Sequence, residues 1–214
     1  MWEVEFRNGV WLPQVGWWLD AHFPVDRSFV SHAHFDHLAT HREILCSQGT
    51  ARLMRARLPG ERIEHVLPFG HAERLTDNCA VTLHPAGHIF GSAQSLLEHE
   101  EHGRLLYTGD FKLAASRTCE PPEVKRCDTL LMECTFGRPQ YVFPERDEVE
   151  TRLIDFVRRA LEAECAPLVY AYSLGKAQEA MAILNRAGIP LTVHGAVDAM
   201  ARVYEDAGVA LGPY

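Results

Sequence analysis

The sequence lacks any long apolar run, since every stretch of 18 residues contains polar side chains. A helix needs about 20 consecutive apolar residues to cross a bilayer, so no transmembrane helix is expected. The amino-terminal segment MWEVEFRNGV also lacks the basic start and the apolar core of a signal peptide. We therefore expect a cytoplasmic protein that has no membrane partner.

Paired cysteines and an excess of basic residues are also missing. The six cysteines form no CxxC pair, which favours reduced thiols over a disulfide framework. The net charge is −8, whereas proteins that bind nucleic acid without sequence preference usually carry a basic face. The overall charge therefore counts against nucleic acid as a ligand, although it leaves room for a local binding groove.

The composition is that of a globular chain, with 214 residues, 47% hydrophobic and 23% charged, and the length suits one sizeable domain and the start of another. Residues 1–135 are rich in short apolar or β-branched runs, which predict strands at 10–12, 17–19, 28–30, 80–83, 94–98, 105–108 and 129–132. Helices are predicted at 38–44 and 50–57. The four tryptophans are interpreted as the core of the first strands.

The second part of the chain has the pattern of an α/β unit. An apolar stripe predicts a helix over 148–164, and further helices are predicted over 176–187 and 197–207. Buried strands are predicted at 168–172 and 191–194. The hinge between the two parts is placed at 137–144, which holds two prolines and a glycine.

The stretch SHAHFDH brings three histidines and one aspartate into six residues, directly after an apolar run. His32 and His34 would project the same way from an extended backbone, and Asp36 and His37 would fall in the following turn. Imidazole and carboxylate are the ligands that zinc-like cations take at catalytic sites. The set could serve one ion or be divided between two, whereas a run of solvated loop residues would leave the density of histidines unexplained.

Two later loops add candidate residues. His88 lies in the glycine-flanked segment HPAGHIFGSAQ, and Asp110 ends the strand-like segment LLYTGD. A lone histidine or aspartate at a strand end is usually only a turn residue, so each is a weak candidate by itself.

Taken in order, HxHxDH, a glycine-flanked histidine and a strand-ending aspartate resemble the signature of the metallo-β-lactamase fold. LMECTFG (131–137) looks like the acidic motif that opens the β-CASP cap of the nucleic-acid-processing branch, and YSLGKAQE (172–179) resembles the first strand-to-helix turn of that cap. Several segments are especially like bacterial exonuclease-like members, which are related to mRNA 3′-end processing endonucleases and ligase-associated exonucleases. The resemblance implies an α/β fold, with an αββα sandwich portion over 1–137 and part of a β-CASP cap over 138–214.

The resemblance also implies a site for two divalent metal ions, zinc or alternatively manganese. The ligands would be His32, His34 and His88 for the first ion, Asp36 and His37 for the second, and Asp110 for both. Two such cations can generate hydroxide near neutral pH and stabilise a phosphodiester under in-line attack.

Supporting and catalytic roles follow from the same resemblance. Asp20, which ends the segment GWWLD, would support the site without binding a metal. Glu133 would hold a ligating histidine through a hydrogen bond and so fix its tautomer. The residues expected to act in catalysis are Asp36, His37, Asp110 and Glu133.

The sequence departs from the family pattern in its last part. Complete members supply two further histidines after the cap, one in an SxHxD-type segment and one in a strand-end HG segment, and neither follows here. His194 precedes a glycine, but it comes too early for the second of these, so a strand-end residue is the favoured interpretation. We therefore expect an incomplete second metal site and impaired activity, as in a fragment, a split gene or a degenerate product.

The turn YSLGKA offers candidate phosphate-binding residues, namely Ser173, Gly175 and Lys176. Free amides at the start of a helix attract anions, although the P-loop pattern is absent because Ala177 follows the lysine. A structural N-cap at Ser173 is the favoured alternative.

Three functions remain open. The first is a metal-dependent, exonuclease-like nuclease that acts on DNA or RNA, with partners of the DNA ligase or helicase repair type or of RNA processing. The second is a small-molecule metallohydrolase, such as a thioesterase or a lactamase-like enzyme, against which the cap-like residues 133–214 count. The third is a non-catalytic fragment that binds nucleic acid or a partner subunit.

Overall fold

The computed structural model describes residues 1–7 and 9–214. These residues divide into two compact units, Met1–Glu133 and Cys134–Tyr214. Both sheets belong to the first unit, and helices occur in both units. The described chain therefore has an α/β fold. Within the described ranges, none of the helices is both long and apolar enough to span a bilayer.

The first sheet has six strands in chain order: β1 (Glu5–Phe6), β2 (Val10–Leu12), β3 (Trp17–Leu19), β4 (Arg27–Phe29), β5 (Glu43–Ser47) and β6 (Ile63–Leu67). Strands β1 to β3 pair antiparallel, and strands β3 to β6 pair parallel. Helix α1 (Gln48–Arg57) provides the crossover that the parallel pair β5 and β6 requires, and it packs against both strands.

The second sheet has five strands: β7 (Ala72–Thr76), β8 (Cys79–Pro85), β9 (Ala93–His99), β10 (Gly103–Tyr107) and β11 (Thr129–Leu131). Strands β8 and β10 both run antiparallel to β9, and β11 runs parallel to β10. The carboxyl ends of β8, β10 and β11 therefore lie at one edge of this sheet.

One hydrophobic core joins the two sheets. Side chains such as Leu19 and Leu45 from the first sheet cluster with Leu83, Leu97 and Leu105 from the second, and each of the five is at most 2% exposed. Burial of one such side chain contributes about 1.5–3 kcal/mol. The shared core fixes the two sheets face to face and so fixes the loops at their edges.

Most predicted strands of the first unit are confirmed with shifted ends, but the helix predicted at 38–44 is wrong. Strand β5 begins at Glu43, and its apolar centre from Ile44 to Cys46 is fully buried. A short apolar run of a parallel strand is buried on both faces and so lacks the alternation that would distinguish it from a buried helix. The tryptophans, all expected in the core, differ in burial. Trp11 and Trp18 are only half-buried, whereas Trp2 and Trp17 are in the core.

The second unit contains three helices in its described residues: α2 (Arg146–Glu162), α3 (Lys176–Arg186) and α4 (Gly195–Asp206). All three were predicted from the apolar pattern. Val157 of α2 packs with Leu184 of α3 and with Ile189, which follows α3, in a small hydrophobic core.

The strands predicted at 168–172 and 191–194 are wrong, because neither segment forms a strand. Leu168, Tyr170 and Tyr172 are 67%, 89% and 80% exposed. A strand needs a neighbour that accepts and donates its backbone hydrogen bonds, and residues 134–214 provide none.

The start of α1 lies in direct backbone contact with the loop that carries His88. Ser47 caps the helix by accepting a hydrogen bond from Thr50 N (3.1 Å), and its hydroxyl donates to the Gly91 carbonyl (2.5 Å). A Cβ added to Gly49 would lie 2.6 Å from Gly91 Cα, which no real Cβ tolerates. Glycine is therefore required in this helix for a packing reason.

We predict that Gly49→Ala destabilises the protein although alanine is the better helix former. Relief of backbone entropy would favour the variant by about 0.4–1 kcal/mol, but overpacking against Gly91 costs about 1–3 kcal/mol. Gly195→Ala is the matched control, because Gly195, like Gly49, lies in the first turn of a helix and no atom lies within 4 Å of its added Cβ. Calorimetric melting curves should show a lower melting temperature for Gly49→Ala alone, and equal stability of the two variants would contradict this account.

Candidate metal centre

The candidate ligands lie in loops that follow strands of both sheets. Asp20 follows β3, His32 and His34 follow β4, His88 follows β8, and Asp110 follows β10. The two sheet edges are joined where Ala93 N donates to the Ser31 carbonyl (2.8 Å). Topology therefore brings residues that are distant in sequence to one point.

Gly109 permits the closest approach between two of these loops. It has a φ of 53°, and an added Cβ would lie only 2.4 Å from Ser31 Cβ. Any larger residue would push the Asp110 loop away from the SHAHFDH loop. The Gly-Asp turn is thus a steric condition for the site.

Three imidazoles form a first group. His34 Nδ1 lies 2.9 Å from His32 Nε2 and 3.2 Å from His88 Nε2. Oδ2 of Asp110 lies 3.8 Å from His32 Nε2 and 3.7 Å from His88 Nε2. Three nitrogens and one carboxylate oxygen thus surround one point, and this donor set fits a zinc-like cation.

A second group lies on the other side of the Asp110 carboxylate. His37 Nε2 is 3.5 Å from Asp110 Oδ1 and 3.8 Å from Asp36 Oδ2. His32, His37 and Asp110 also offer three ligand atoms that lie close together. The Asp36 side chain is 76% exposed, so it is the most accessible member of the group. Asp110 therefore presents one oxygen to each group, as a bridging carboxylate would.

The buried carboxylate of Asp20 organises the histidines. It accepts hydrogen bonds from Ser31 N (2.7 Å), Ser31 Oγ (2.5 Å), Tyr107 Oη (2.8 Å) and His37 Nδ1 (2.8 Å). The side chain of Asp20 is 3% exposed, and its backbone has a φ of 46°. A non-glycine residue in this left-handed region is uncommon, and here it aims the carboxylate at the loop.

This network fixes the tautomers of two histidines. Because the Ser31 hydroxyl donates its proton to Asp20, it can only accept from His32 Nδ1, at 3.0 Å. His32 then presents the free lone pair of Nε2 to the first group. Likewise, His37 donates from Nδ1 to Asp20 and turns Nε2 toward Asp110 and Asp36.

Protonation differs between these two histidines. Burial lowers the pKa of His32 well below its usual value, and the charges of neighbouring histidines lower it further, so its ring is neutral. Burial also lowers the pKa of His37, but the hydrogen bond from its ring to Asp20 and the charges of Asp20, Asp110 and Asp36 outweigh that effect and raise it to about 9. His37 therefore carries a proton at neutral pH that a metal ion would displace.

The Asp110 carboxyl has a raised pKa. Burial is the largest cause, and the charges of Glu133, Asp20 and Asp36 add to it, whereas the charge of His37 lowers it. Four acidic side chains close together repel one another, so the cluster favours the binding of cations.

Glu133 stands beside the centre, where its Oε1 lies 3.5 Å from the amide of Phe111, the residue after Asp110. Its expected hydrogen bond to a ligating histidine stays a prediction. Sequence reasoning assigned no role to Ser31 or Tyr107, and it passed over His22, whose Nδ1 donates to the Asp36 carbonyl at 2.5 Å. Ser31 and Tyr107 lie inside the quoted motifs SHAHFDH and LLYTGD, which was the available signal.

The candidate phosphate-binding turn is hydrogen-bonded internally. The N-cap of α3 is Gly175, so the N-cap predicted at Ser173 is wrong. The amide of Gly175 donates to Gln178 Oε1 (2.7 Å), and Lys176 Nζ pairs with Glu179 (3.3 Å). The Gln178 side chain accepts from the N-cap amide and donates to the Ser173 carbonyl, so it closes the turn. Phosphate binding by this turn stays a prediction.

His194 is a helix N-cap rather than the strand-end residue that was expected. It caps α4, with its Nδ1 accepting from Ala196 N at 3.1 Å. The six cysteines are all free, as expected for reduced thiols.

Comparisons with known proteins identify several relatives, although no protein-family profile matches the chain. A "Probable DNA ligase" of Opitutus terrae is 57% identical over all of this chain, which covers 21% of that protein. An "RNase J-like protein" of Methanocaldococcus jannaschii is 31% identical over 75% of this chain and 44% of its own length. A "Transcription termination factor FttA" of Pyrococcus abyssi is 37% identical over 67% of this chain and 23% of its own length. The chain thus spans less than half the length of each relative.

We predict that Asp20→Asn weakens metal binding about 10–100-fold although it removes no candidate ligand. An asparagine amide would direct N–H groups at side chains that already donate to Asp20, such as Ser31 and His37. His32 and His37 would then lose their fixed tautomers. Asp26→Asn, an exposed aspartate of the same unit, is the control. Competition of each variant with a zinc-binding dye measures the affinity, and equal affinities for the two variants would show that Asp20 does not organise the centre.

Proposed function

The chain is a homologue of RNase J-like and FttA proteins, which are β-CASP nucleases of the metallo-β-lactamase fold, and on this premise we propose that it hydrolyses phosphodiester bonds of nucleic acid with bound divalent metal ions. The position of Asp110 carries the proposal. One of its carboxylate oxygens faces each of two groups of ligand atoms, which overlap at His32, so one residue can hold two cations side by side. A site for a single structural ion would not need this arrangement.

We assign the first ion to His32, His34 and His88, and the second to His37 and Asp36, with Asp110 shared between them. Two cations held in this way would activate a water molecule and stabilise the charge that develops on the phosphoryl oxygens. The donor set suits zinc, and manganese remains the alternative.

The protein's own residues contribute orientation and proton control. Ser31 holds His32 in the tautomer that offers Nε2, and Asp20 does the same for His37. Asp36 is exposed beside the second group, where its carboxylate can bind the second ion or accept a proton from water. Glu133, whose charge lies close to Asp110, is assigned a supporting role in the same centre.

For the fold, we propose that the first unit is the metallo-β-lactamase αββα sandwich and that the second unit is part of a β-CASP cap. The shared core of the two sheets and the packing of α1 on β5 and β6 support the first assignment. The three helices after residue 145 support the second.

The substrate class that we propose is DNA or RNA, and the relatives' names point in both directions. One relative is named a DNA ligase and two are named for RNA cleavage or transcription termination. Partners of the DNA ligase or helicase repair type, or of RNA processing, are therefore part of the proposal. Small thioesters and β-lactams are the competing substrates.

We predict that the metal-loaded chain hydrolyses labelled single-stranded DNA or RNA slowly at most, because the second metal site is expected to be incomplete. Asp110→Asn should reduce this rate by a further factor of at least about 100, because the bridging oxygen is lost. Asp77→Asn, an exposed aspartate outside the centre, should keep the parental rate. The same assay tests the expectation of impaired activity, because rapid turnover by the parental chain would contradict it.

The assay also includes a thioester and a chromogenic β-lactam as competing substrates. Turnover of these compounds without cleavage of either nucleic acid would replace the proposal with a small-molecule hydrolase. Equal nucleic-acid cleavage by Asp110→Asn and the parent would remove Asp110 from the mechanism.

A further inference from the structure

An aromatic ring and an arginine stand together beside the metal centre. Phe35 lies between His34 and Asp36 in the 3₁₀ turn Phe35–His37, and its residue surface is 63% exposed. Arg57 is the last residue of α1, and its guanidinium carbon lies 4.1 Å from the centre of the Phe35 ring. Consecutive Cα atoms are about 3.8 Å apart, so Phe35 adjoins two candidate ligands.

The guanidinium of Arg57 has no ion-pair or hydrogen-bond partner within residues 1–7 and 9–214, and its Nε is buried without a partner. Arg55, two residues earlier on the same helix, instead forms two hydrogen bonds to Glu64, at 2.9 and 2.5 Å. Burial lowers the pKa of Arg57. A partly buried, unpaired cation is unfavourable for folding alone, which indicates that it serves binding.

A stabilising effect on the helix end explains only part of this arrangement. A positive charge in the last turn interacts favourably with the helix dipole, but any exposed arginine or lysine would provide that. The dipole does not account for a guanidinium that lies over an exposed ring at the metal centre. Contact with Phe35 instead holds the planar donor group in place while its unpaired N–H groups remain available.

A cation beside this acidic centre would favour the binding of an anionic substrate. Asp20, Asp36, Asp110 and Glu133 all lie in or beside the two ligand groups, and the whole chain carries a net charge of −8. Two bound divalent ions would offset these carboxylates at the scissile phosphate, but a neighbouring phosphate that no ion contacts would gain less from them. A fixed arginine fork matches phosphate oxygens better than a lysine does.

We propose that Arg57, held by Phe35, binds a phosphate next to the scissile phosphodiester of a single-stranded nucleic acid. The inference rests on the proposed nuclease function and adds a subsite to it. Arg57 donates to the phosphate oxygens, and Phe35 orients the guanidinium plane. Aromatic and arginine planes beside a backbone contact are the usual elements of single-strand binding.

The test measures binding of a fluorescent, hydrolysis-resistant phosphorothioate oligonucleotide to the metal-loaded protein by anisotropy over a series of salt concentrations. Arg57→Gln should raise the dissociation constant about 5–10-fold and reduce the slope of log affinity against log salt by about 0.7, as for the loss of one phosphate contact on a single strand. Arg55→Gln, the matched control, should change affinity less than about twofold. Arg57→Lys should keep the salt slope but recover only part of the affinity.

The outcomes separate this inference from the proposed function. Parental protein that binds no oligonucleotide would overturn both. Normal binding or cleavage by the parent, with Arg57→Gln equal to Arg55→Gln in affinity and slope, would overturn only the phosphate subsite. If Arg57→Gln melts at a lower temperature, its weaker binding could reflect lost stability. Arg57→Lys, which retains the charge, then separates the two effects. Full recovery of affinity by lysine would contradict a contact that needs the guanidinium fork.

Discussion

The buried carboxylate of Asp20 is the interaction on which the rest of the centre depends. A charge with 3% exposure is tolerable only if hydrogen bonds replace its hydration, and four donors do so here. Those donors lie on the loop after β4, on β10 and on the 3₁₀ turn, so the carboxylate joins three segments. Through Ser31 it reaches His32, and directly it reaches His37, which gives both ligand groups one common support.

The same support creates a competition between a proton and a metal ion. The pKa of His37 is raised to about 9, so at neutral pH its Nε2 carries a proton that faces Asp110 and Asp36. His32 is neutral and needs no deprotonation. Metal binding at the first group therefore displaces no proton from His32, while binding at the second group releases one from His37. The difference arises because burial and then the neighbouring histidines lower the pKa of His32, whereas Asp20, Asp110 and Asp36 raise the pKa of His37 against the effect of burial.

Much of the centre could be predicted because its signals are local or ordered along the chain. The spacing of His32, His34, Asp36 and His37 and the later His88 and Asp110 predicted the residues that the fold brings together. The motifs alone did not give the roles of Ser31, Tyr107 and Arg57, because each role depends on contact with a residue of another segment. That residue is Asp20 for the first two and Phe35 for Arg57. The strands predicted at 168–172 and 191–194 failed for a related reason, since an apolar run becomes a strand only when a neighbouring strand is present. The helix predicted at 38–44 failed because residues 38–42 form no regular element and the last two residues begin strand β5.

The central claim is that this arrangement holds two divalent ions on either side of Asp110. Anomalous X-ray diffraction at the zinc absorption edge, from crystals of the zinc-loaded protein, measures this directly. The account predicts two anomalous peaks, one against His32, His34 and His88 and the other against His37, with the Asp110 carboxylate between them. A single peak, or peaks away from Asp110, would contradict it.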